Sequence, residues 1–367
     1  MKILFQSRND LLTHMGGDTT QILETKKYLE KLGHNVTLDL SARPNVTQYD
    51  IVHIFNLQTM DLTLEQVLNA KKQGKKVVLS TIWWDFTFMN LDRDFRKYSK
   101  NPLYNLLRYI VCPIFLFNFN KTDVYLSKFI FDIKKRKKGI EILNAVDMIL
   151  PNSVAELEIL VQEFALPKLR GKTNIVVNAV DMDSLNIPSD LKKVNLPNDY
   201  VLCVGRIEPC KGQAKIIQAM LKHKGIPLVF IGRGIDSPYG KKCQELANKR
   251  GNVYFIPQVD HKNLGVYYKK AKVHVLPSLR ESPGLVSLEA ALFNTNIVVS
   301  YEAPVQEYFK NEALICNPLD IESIEDKIIK AYHAPYNSNL KTIIKEKFTW
   351  EQTAKQTELA YKTVLFS

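Results

Sequence analysis

The stretch Val201-Leu202-Cys203-Val204-Gly205-Arg206-Ile207-Glu208-Pro209-Cys210-Lys211-Gly212 decides the fold class of this 367-residue chain. Four consecutive apolar residues give way to a glycine, a cation, a proline and a second cation. A continuous apolar run of this kind reads as a strand buried on both faces. Behind it, Lys215-Ile216-Ile217-Gln218-Ala219-Met220-Leu221 places its apolar residues at helical spacing. The unit is therefore strand, loop, amphipathic helix.

The same unit recurs in both directions. Short apolar runs stand at 3–5, 36–38, 51–55, 77–79, 148–150 and 175–177, and again at 201–204, 228–231, 253–256, 273–276, 297–299 and 314–315. Two series with a break near residue 180 imply an α/β chain of two Rossmann-like, doubly wound domains. The expected division is 1–180, 181–345 and a final segment 346–367. That last segment contains a helix from Trp350 to Leu365 that crosses back to the first domain. Pro188 and Pro197 mark the linker. No internal repeat is visible.

Composition narrows the class. At 46% hydrophobic and 24% charged residues the chain is globular, not disordered or collagen-like. The five cysteines are spread out with no Cys-x-x-Cys pair, which argues against a disulfide scaffold or zinc ribbon and for a reducing compartment. The polar turn at Gln6-Ser7-Arg8 comes too early for a secretory signal. No apolar run is long enough to span a bilayer. The expected location is cytoplasmic.

In open α/β sheets, ligands bind beyond the carboxyl ends of the strands. After the first strand, Gly16-Gly17-Asp18-Thr19 opens a helix whose N-terminal N–H groups and dipole suit a phosphate or sugar; a plain helix cap is the competing explanation. After 201–204, Arg206 and Lys211 stand five positions apart and could hold a diphosphate, though the glycine spacing is not that of a Walker loop. A solvated surface pair is the alternative. After 273–276, Glu281 precedes a helix starting near Gly284, whose N–H groups at Gly284, Leu285 and Val286 could meet diphosphate oxygens. Glu289, in apolar company inside that helix, needs a partner: a ribose diol, or a nearby Lys or Arg.

Taken in order, Gly16-Gly17, Asp50-Ile51-Val52-His53-Ile54-Phe55-Asn56, Asn178-Ala179-Val180-Asp181, Gly205-Arg206 to Lys211-Gly212, Phe230-Ile231-Gly232-Arg233-Gly234, Glu281/Glu289 and Phe348-Thr349-Trp350-Glu351 resemble the retaining glycosyltransferases of family 4, also called group 1, which have the GT-B architecture. The resemblance implies a nucleotide-diphosphate sugar, UDP- or GDP-linked, held mainly by the second domain. It implies no cofactor and no metal. Arg206 and Lys211 would neutralise the diphosphate, Glu281 would orient the donor sugar and Glu289 would hold the ribose. Gly205, Gly232, Arg233 and Gly234, with Ile256-Pro257-Gln258, would frame the base and phosphates. The departing phosphate would take the acceptor's proton, so no protein nucleophile is required.

Two departures stand out. Many members carry a His-Asp pair where this chain has Trp84-Asp85. A tryptophan donates one hydrogen bond and cannot shuttle protons at neutral pH. Trp84 and Asp85 are therefore assigned to the acceptor side, with core packing as the competing role for both tryptophans. The second departure is Ser282-Pro283, where members commonly carry Gly and Phe.

An insertion over 86–140 breaks the rhythm. Residues 92–138 hold twelve Lys/Arg, four Asp/Glu and ten aromatics, and end in Lys134-Lys135-Arg136-Lys137-Lys138. Eight of the chain's twelve net positive charges lie there. An apolar strip beside a polybasic run fits peripheral attachment to an anionic membrane through 104–138, and an acceptor carried on lipid. Burial of the aromatics with solvated cations is the alternative, and no nucleic-acid module accompanies the charge. The expected activity is sugar transfer to a saccharide or lipid-linked saccharide in glycolipid, lipopolysaccharide or surface-polysaccharide synthesis. The alternatives are a non-catalytic nucleotide-sugar-binding module and, more weakly, a nucleotide-sugar 2-epimerase.

Overall fold

A computed structural model of the protein describes residues 1–84, 133–181, 185 and 196–366. Asp85, the insertion up to residue 132 and most of the 181–199 linker lie outside the described residues.

Two parallel sheets carry the chain. The first contains β1 (Lys2–Gln6), β2 (Asn35–Leu38), β3 (Ile51–Phe55), β4 (Lys76–Ser80) and β5 (Met148–Ile149), in the order β2-β1-β3-β4-β5. The second contains β6 (Tyr200–Val204), β7 (Leu228–Ile231), β8 (Val253–Ile256), β9 (Ala271–Leu276), β10 (Asn296–Ser300) and β11 (Leu314–Cys316), in the order β11-β10-β9-β6-β7-β8. Both are doubly wound, the second in the Rossmann order and the first in the flavodoxin-like order. The order reverses between β1 and β3 in one sheet, and between β6 and β9 in the other. Those two crevices are where such sheets bind ligands.

The continuous apolar runs explain the burial. Every residue of β3 and β6 is buried, because helices cover both faces. Each fully buried Leu, Ile or Val contributes about 1.5–3 kcal/mol relative to exposure. In the first domain the helices are α1 (Gly17–Lys31), α2 (Met60–Lys72), α3 (Ile133–Ala145) and α4 (Val154–Phe164). In the second they are α5 (Gln213–Ala219), α6 (Pro238–Arg250), α7 (Leu264–Lys270), α8 (Leu285–Leu292), α9 (Ala303–Phe309), α10 (Ile321–His333) and α11 (Ser338–Lys347). No described helix is long and apolar enough to cross a membrane.

One expected strand does not form. Residues 175–177 run extended but outside the ladder. Thr173 bridges to Ile149, Val176 N–H donates to Pro151 O (3.0 Å) and Val177 N–H to Gln356 Oε1 (3.1 Å). The segment is already leaving for the second domain, so a loop and the last helix satisfy its backbone groups.

That helix, α12 (Trp350–Phe366), packs on the first sheet. Ala354, Ala360, Tyr361 and Val364 join Ile3, Phe5 and Ile51 in one buried cluster. Tyr361 OH meets His53 Nδ1 (2.6 Å), and His53 Nε2 meets Ser80 Oγ (2.9 Å). Burial pushes His53 down to a pKa of about 3, so it is a neutral core histidine. The crossing itself falls at Phe348, whose carbonyl accepts from Val180 N–H (3.1 Å).

The two domains are hydrogen-bonded to each other. Tyr308 OH donates to Asn152 O (2.7 Å) and accepts from Asn178 N–H (2.6 Å). Glu307 of α9 accepts from the Val154 (3.0 Å) and Ala155 (2.8 Å) N–H groups at the start of α4.

Candidate functional site

The second crevice is built by three loops packed backbone to backbone. Gly205 N–H donates to Ile231 O (2.9 Å) and Ile207 N–H to Arg233 O (2.8 Å). A Cβ on Gly232 would lie 2.1 Å from Gly205 O, and one on Gly234 would lie 2.9 Å from Ile207 O. Glycine is required at both by contact and by backbone, since both have positive φ (+152° and +104°). The third loop follows β9. Leu279 N–H donates to Cys210 O (2.9 Å), and a Cβ on Gly212 would meet Pro277 O at 3.0 Å.

This packing brings Lys211 and Glu281 together. A short helical turn at Pro209–Lys211 aims the lysine inward, and Nζ pairs with Glu281 Oε1. Both side chains are mostly buried. Burial alone would lower the Lys211 pKa, but the Glu281 carboxylate outweighs it and holds the ammonium above its ordinary value. Lys211 is thus a fixed cation. Arg206 is exposed, and its Nη2 lies 3.1 Å from Glu208 Oε1. The two cations therefore differ: Lys211 is mostly buried on Glu281, and Arg206 is exposed beside Glu208.

Gly284 starts α8 with φ +89°, and no side chain caps that N-terminus. The Ser282–Pro283 bond before it is cis. Leu285 and Val286 occupy the first turn. Inside the helix, Glu289 is 3% exposed. Its partner is neither a lysine nor an arginine. Oε1 accepts from His261 Nε2 (2.7 Å) and Oε2 from Tyr268 OH (2.8 Å). Sequence reasoning passed over both donors, since a histidine in a polar loop and a tyrosine in an apolar helix carry no signal of their own. Ile256, at the end of β8, is half-buried at the far side of the crevice and borders this core.

The first crevice faces it. Gly16 caps α1, with its N–H on Thr19 Oγ1 (3.1 Å), so the glycine pair does begin a capped helix. Gly16 and Gly17 are exposed, and a Cβ on Gly17 would touch nothing. Arg8 organises this loop: it donates to Asp18 Oδ2 (2.7 Å), Asp10 Oδ1 (2.8 Å) and His14 O (2.7 Å). Asn56, at φ +81°, leans on Asp18 through Nδ2 (3.4 Å). Across the cleft, Arg233 Nη2 donates to Met15 O (3.3 Å), so a residue assigned to donor binding also ties the crevices together.

The tryptophans separate. Trp83 is a core residue, with Nε1 on Glu163 Oε2 (2.7 Å) and its ring against Phe164. Trp84 is half-buried at the exit of β4, and its carbonyl accepts from Gln58 Nε2. The polybasic run is partly engaged at the start of α3: Arg136 Nε donates to Glu163 O (3.0 Å) and Lys138 pairs with Asp61.

Buried polar atoms without a partner among the described residues occur at these strand ends. They include Gln6 Oε1 and Ser7 Oγ after β1, Gln213 Oε1 at the start of α5, Ser278 Oγ after β9, Ser287 Oγ in α8 and Ser300 Oγ in β10. Both ring nitrogens of His274, mid-strand in β9, and Asn178 Oδ1 share this state, so it is not confined to the strand ends.

Residues 188–349 match the family described as glycosyl transferases group 1. The second half of this chain is a group 1 glycosyltransferase domain. An uncharacterized glycosyltransferase of Methanocaldococcus jannaschii is 31% identical over 175 residues, 45% of this chain and 45% of the relative. The N-acetylgalactosamine-N,N'-diacetylbacillosaminyl-diphospho-undecaprenol 4-alpha-N-acetylgalactosaminyltransferase of Campylobacter jejuni is 31% identical over 125 residues, 34% of this chain and 31% of the relative. These matches span less than half the length of either relative. The sucrose-phosphate synthase of Thermosynechococcus elongatus superposes with a TM-score of 0.74 at 18% identity, covering 100% of this chain and 99% of its own. At that identity the likeness speaks for fold, and the fold is GT-B. In the glycosyltransferase domain, Arg206, Lys211, Glu281 and Glu289 all fall inside the matched region.

Proposed function

We propose that this protein is a retaining, metal-independent glycosyltransferase. It moves a sugar from a nucleotide-diphosphate donor, UDP- or GDP-linked, to a saccharide or lipid-linked saccharide. The observation that carries this reading is the buried Lys211–Glu281 pair at the β6/β9 switch point, with exposed Arg206 beside it. A diphosphate leaving group develops negative charge as the glycosidic bond breaks. A fixed ammonium in a partly dry site stabilises that charge without reorganising. Arg206 adds an exposed guanidinium suited to phosphate oxygens. Glu281 keeps Lys211 charged and in place, and its carboxylate is set to accept a sugar hydroxyl.

Glu289 is the proposed ribose acceptor. It is fixed by His261 and Tyr268, and each carboxylate oxygen has a second lone pair for a ribose hydroxyl. Gly205, Gly232, Arg233, Gly234 and Ile256 frame the base and phosphates, with Gly284, Leu285 and Val286 offering backbone N–H groups. Gly16 and Gly17 close on the donor from the other side, where Trp84 is assigned to the acceptor; Asp85, outside the described residues, keeps that assignment from sequence alone. The transferred bond forms on the face the donor phosphate leaves, and that phosphate receives the acceptor's proton. A lipid-linked acceptor fits both the basic, aromatic insertion and the relative that acts on a diphospho-undecaprenol substrate. The protein would then work at the inner face of a membrane.

The test is a screen of UDP- and GDP-sugars. Thermal shift names the base, since a ligand bound to the native state raises Tm by mass action. Release of free nucleotide with acceptor extract then measures turnover. Binding with no release from any donor would instead make the chain a nucleotide-sugar-binding module.

A further inference from the structure

Glu156 is a carboxylate with 0% exposure that the proposed chemistry does not use. Its sequence setting, Ser153-x-x-Glu156, is that of a helix capping box, in which the glutamate reaches back to the N-cap N–H. Only half of the box forms. Ser153 Oγ accepts from Glu156 N–H (3.0 Å), but the carboxylate turns inward. Glu307 of the second domain accepts from the next two N–H groups, those of Val154 and Ala155.

Turned inward, Glu156 gathers donors from three segments. Oε1 accepts from Thr81 Oγ1 (2.5 Å) and Trp83 N–H (2.8 Å), both just beyond β4. Oε2 accepts from Asn152 N–H (2.8 Å) in the loop before α4. Ser282 Oγ, next in sequence to Glu281, reaches Oε2 from the other domain at 3.5 Å. Burying a carboxylate costs several kcal/mol unless donors surround it. A capping box at the surface would avoid that cost. The inward position gives one group a hold on both half-sites.

We propose that Glu156 is a positioning residue that couples the two half-sites. It fixes the backbone that presents Trp84 on the acceptor side, and through Ser282 it sets the loop that carries Glu281 on the donor side. The roles of those loops rest on the glycosyltransferase reading above.

The experiment uses the full chain with Glu156→Gln, Ser282→Ala and the double variant, each also in a Trp350→Phe background. In that background Trp83 and Trp84 are the only tryptophans, and excitation at the red edge of the absorption band selects them over tyrosine. Acrylamide quenching of the ligand-free proteins reads the Trp83–Trp84 loop directly. Nucleotide release and nucleotide Kd read the half-sites separately. Glu156→Gln is expected to raise quenching and to lower kcat about tenfold or more, with nucleotide Kd within about twofold, because transition-state geometry and not ground-state binding is lost. Ser282→Ala is expected to move both readouts the same way by less, and the double variant to be no worse than Glu156→Gln alone. Unchanged quenching in Glu156→Gln, or additive effects of the two substitutions, overturns the coupling. If Glu156→Gln does not fold, Glu156→Asp and Ser282→Ala carry the same comparison. A wild type that releases no nucleotide from any donor defeats the glycosyltransferase reading, while quenching still decides the coupling.

Discussion

Lys211 and Glu281, 70 residues apart in sequence, form an ion pair that joins the β6 loop to the β9 loop. Glu281 holds Lys211 in its charged state within a mostly buried site. Lys211→Ala therefore removes two things at once. It deletes the cation assigned to the leaving group, expected to raise the barrier by about 2–4 kcal/mol, or roughly 30- to 1000-fold in kcat. It also leaves Glu281 without its partner, so Tm falls. The double variant Lys211→Met/Glu281→Gln should recover much of the Tm and none of the activity. Steady-state nucleotide release and thermal melts separate the effects, and a near-wild-type rate in Lys211→Ala refutes the assigned role.

Two glycines should respond in opposite ways. A Cβ on Gly232 meets Gly205 O at 2.1 Å, so Gly232→Ala must displace the β6 loop and should lower both Tm and nucleotide affinity. Gly17 is the first residue of α1 with open space around it. Gly17→Ala should leave Tm unchanged or raise it, since alanine is the better helix former by about 0.8–1 kcal/mol. If the donor approaches this loop closely, its KM rises all the same. Unaltered kinetics in Gly17→Ala would remove the glycine pair from the donor site.

The sequence announced most of the fold because buried parallel strands leave an unbroken apolar signature. All six runs of the second half became strands. Residues 175–177 misled for a physical reason: Ile175, Val176 and Val177 are apolar because they cross between domains under α12, not because they pair in a sheet. The candidate site was readable as loops that follow strands and carry charge, and the structure brings Arg206, Lys211 and Glu281 of those loops to one crevice. His261, Tyr268, Arg8 and Glu156 were not readable in this way. His261, Tyr268 and Glu156 act by hydrogen-bonding groups distant in sequence, Arg8 acts by gathering the acceptors of its own loop, and Glu156 even sits in a pattern that predicts a different bond.

The His261–Glu289 contact predicts a pH dependence. Its hydrogen bond to Glu289 holds the His261 pKa above the usual value, against the opposing effect of burial, with Glu24 of α1 adding to the pull. Tyr268 OH is the other group facing that carboxylate. A raised folded-state pKa contributes stability that is full below the unfolded value of about 6.5 and fades as pH rises through the folded value. The Tm difference between wild type and His261→Ala should therefore be largest in mildly acidic buffer and shrink toward alkaline pH. A difference that grows with pH would mean the histidine is not charged against Glu289.

Membrane attachment can be tested without breaking the fold. Arg136 and Lys138 hold α3 through Glu163 and Asp61 and are left in place, while Lys134, Lys135 and Lys137 are changed to Gln and the variant's fold is checked by circular dichroism. Each cation near an anionic surface is worth about 1 kcal/mol, screened by salt. Wild type should pellet with phosphatidylserine-rich vesicles at low salt and be released at high salt. The triple variant should stay largely in solution. Absence of pelleting at low salt would sink the membrane reading.

Glu307 predicts a local change in the other domain. Its carboxylate accepts from the first two N–H groups of α4, a position where the helix dipole favours negative charge. Glu307→Ala should therefore cost about 1 kcal/mol, the usual value of a lost cap. Hydrogen exchange should quicken at the Val154 and Ala155 amides while Leu160, mid-helix, keeps its protection. Glu307→Gln retains one acceptor oxygen and should fall between the two. Exchange that quickens along all of α4 would show instead that the contact holds the helix as a whole, and unchanged exchange at Val154 and Ala155 would show that water replaces Glu307 at no cost.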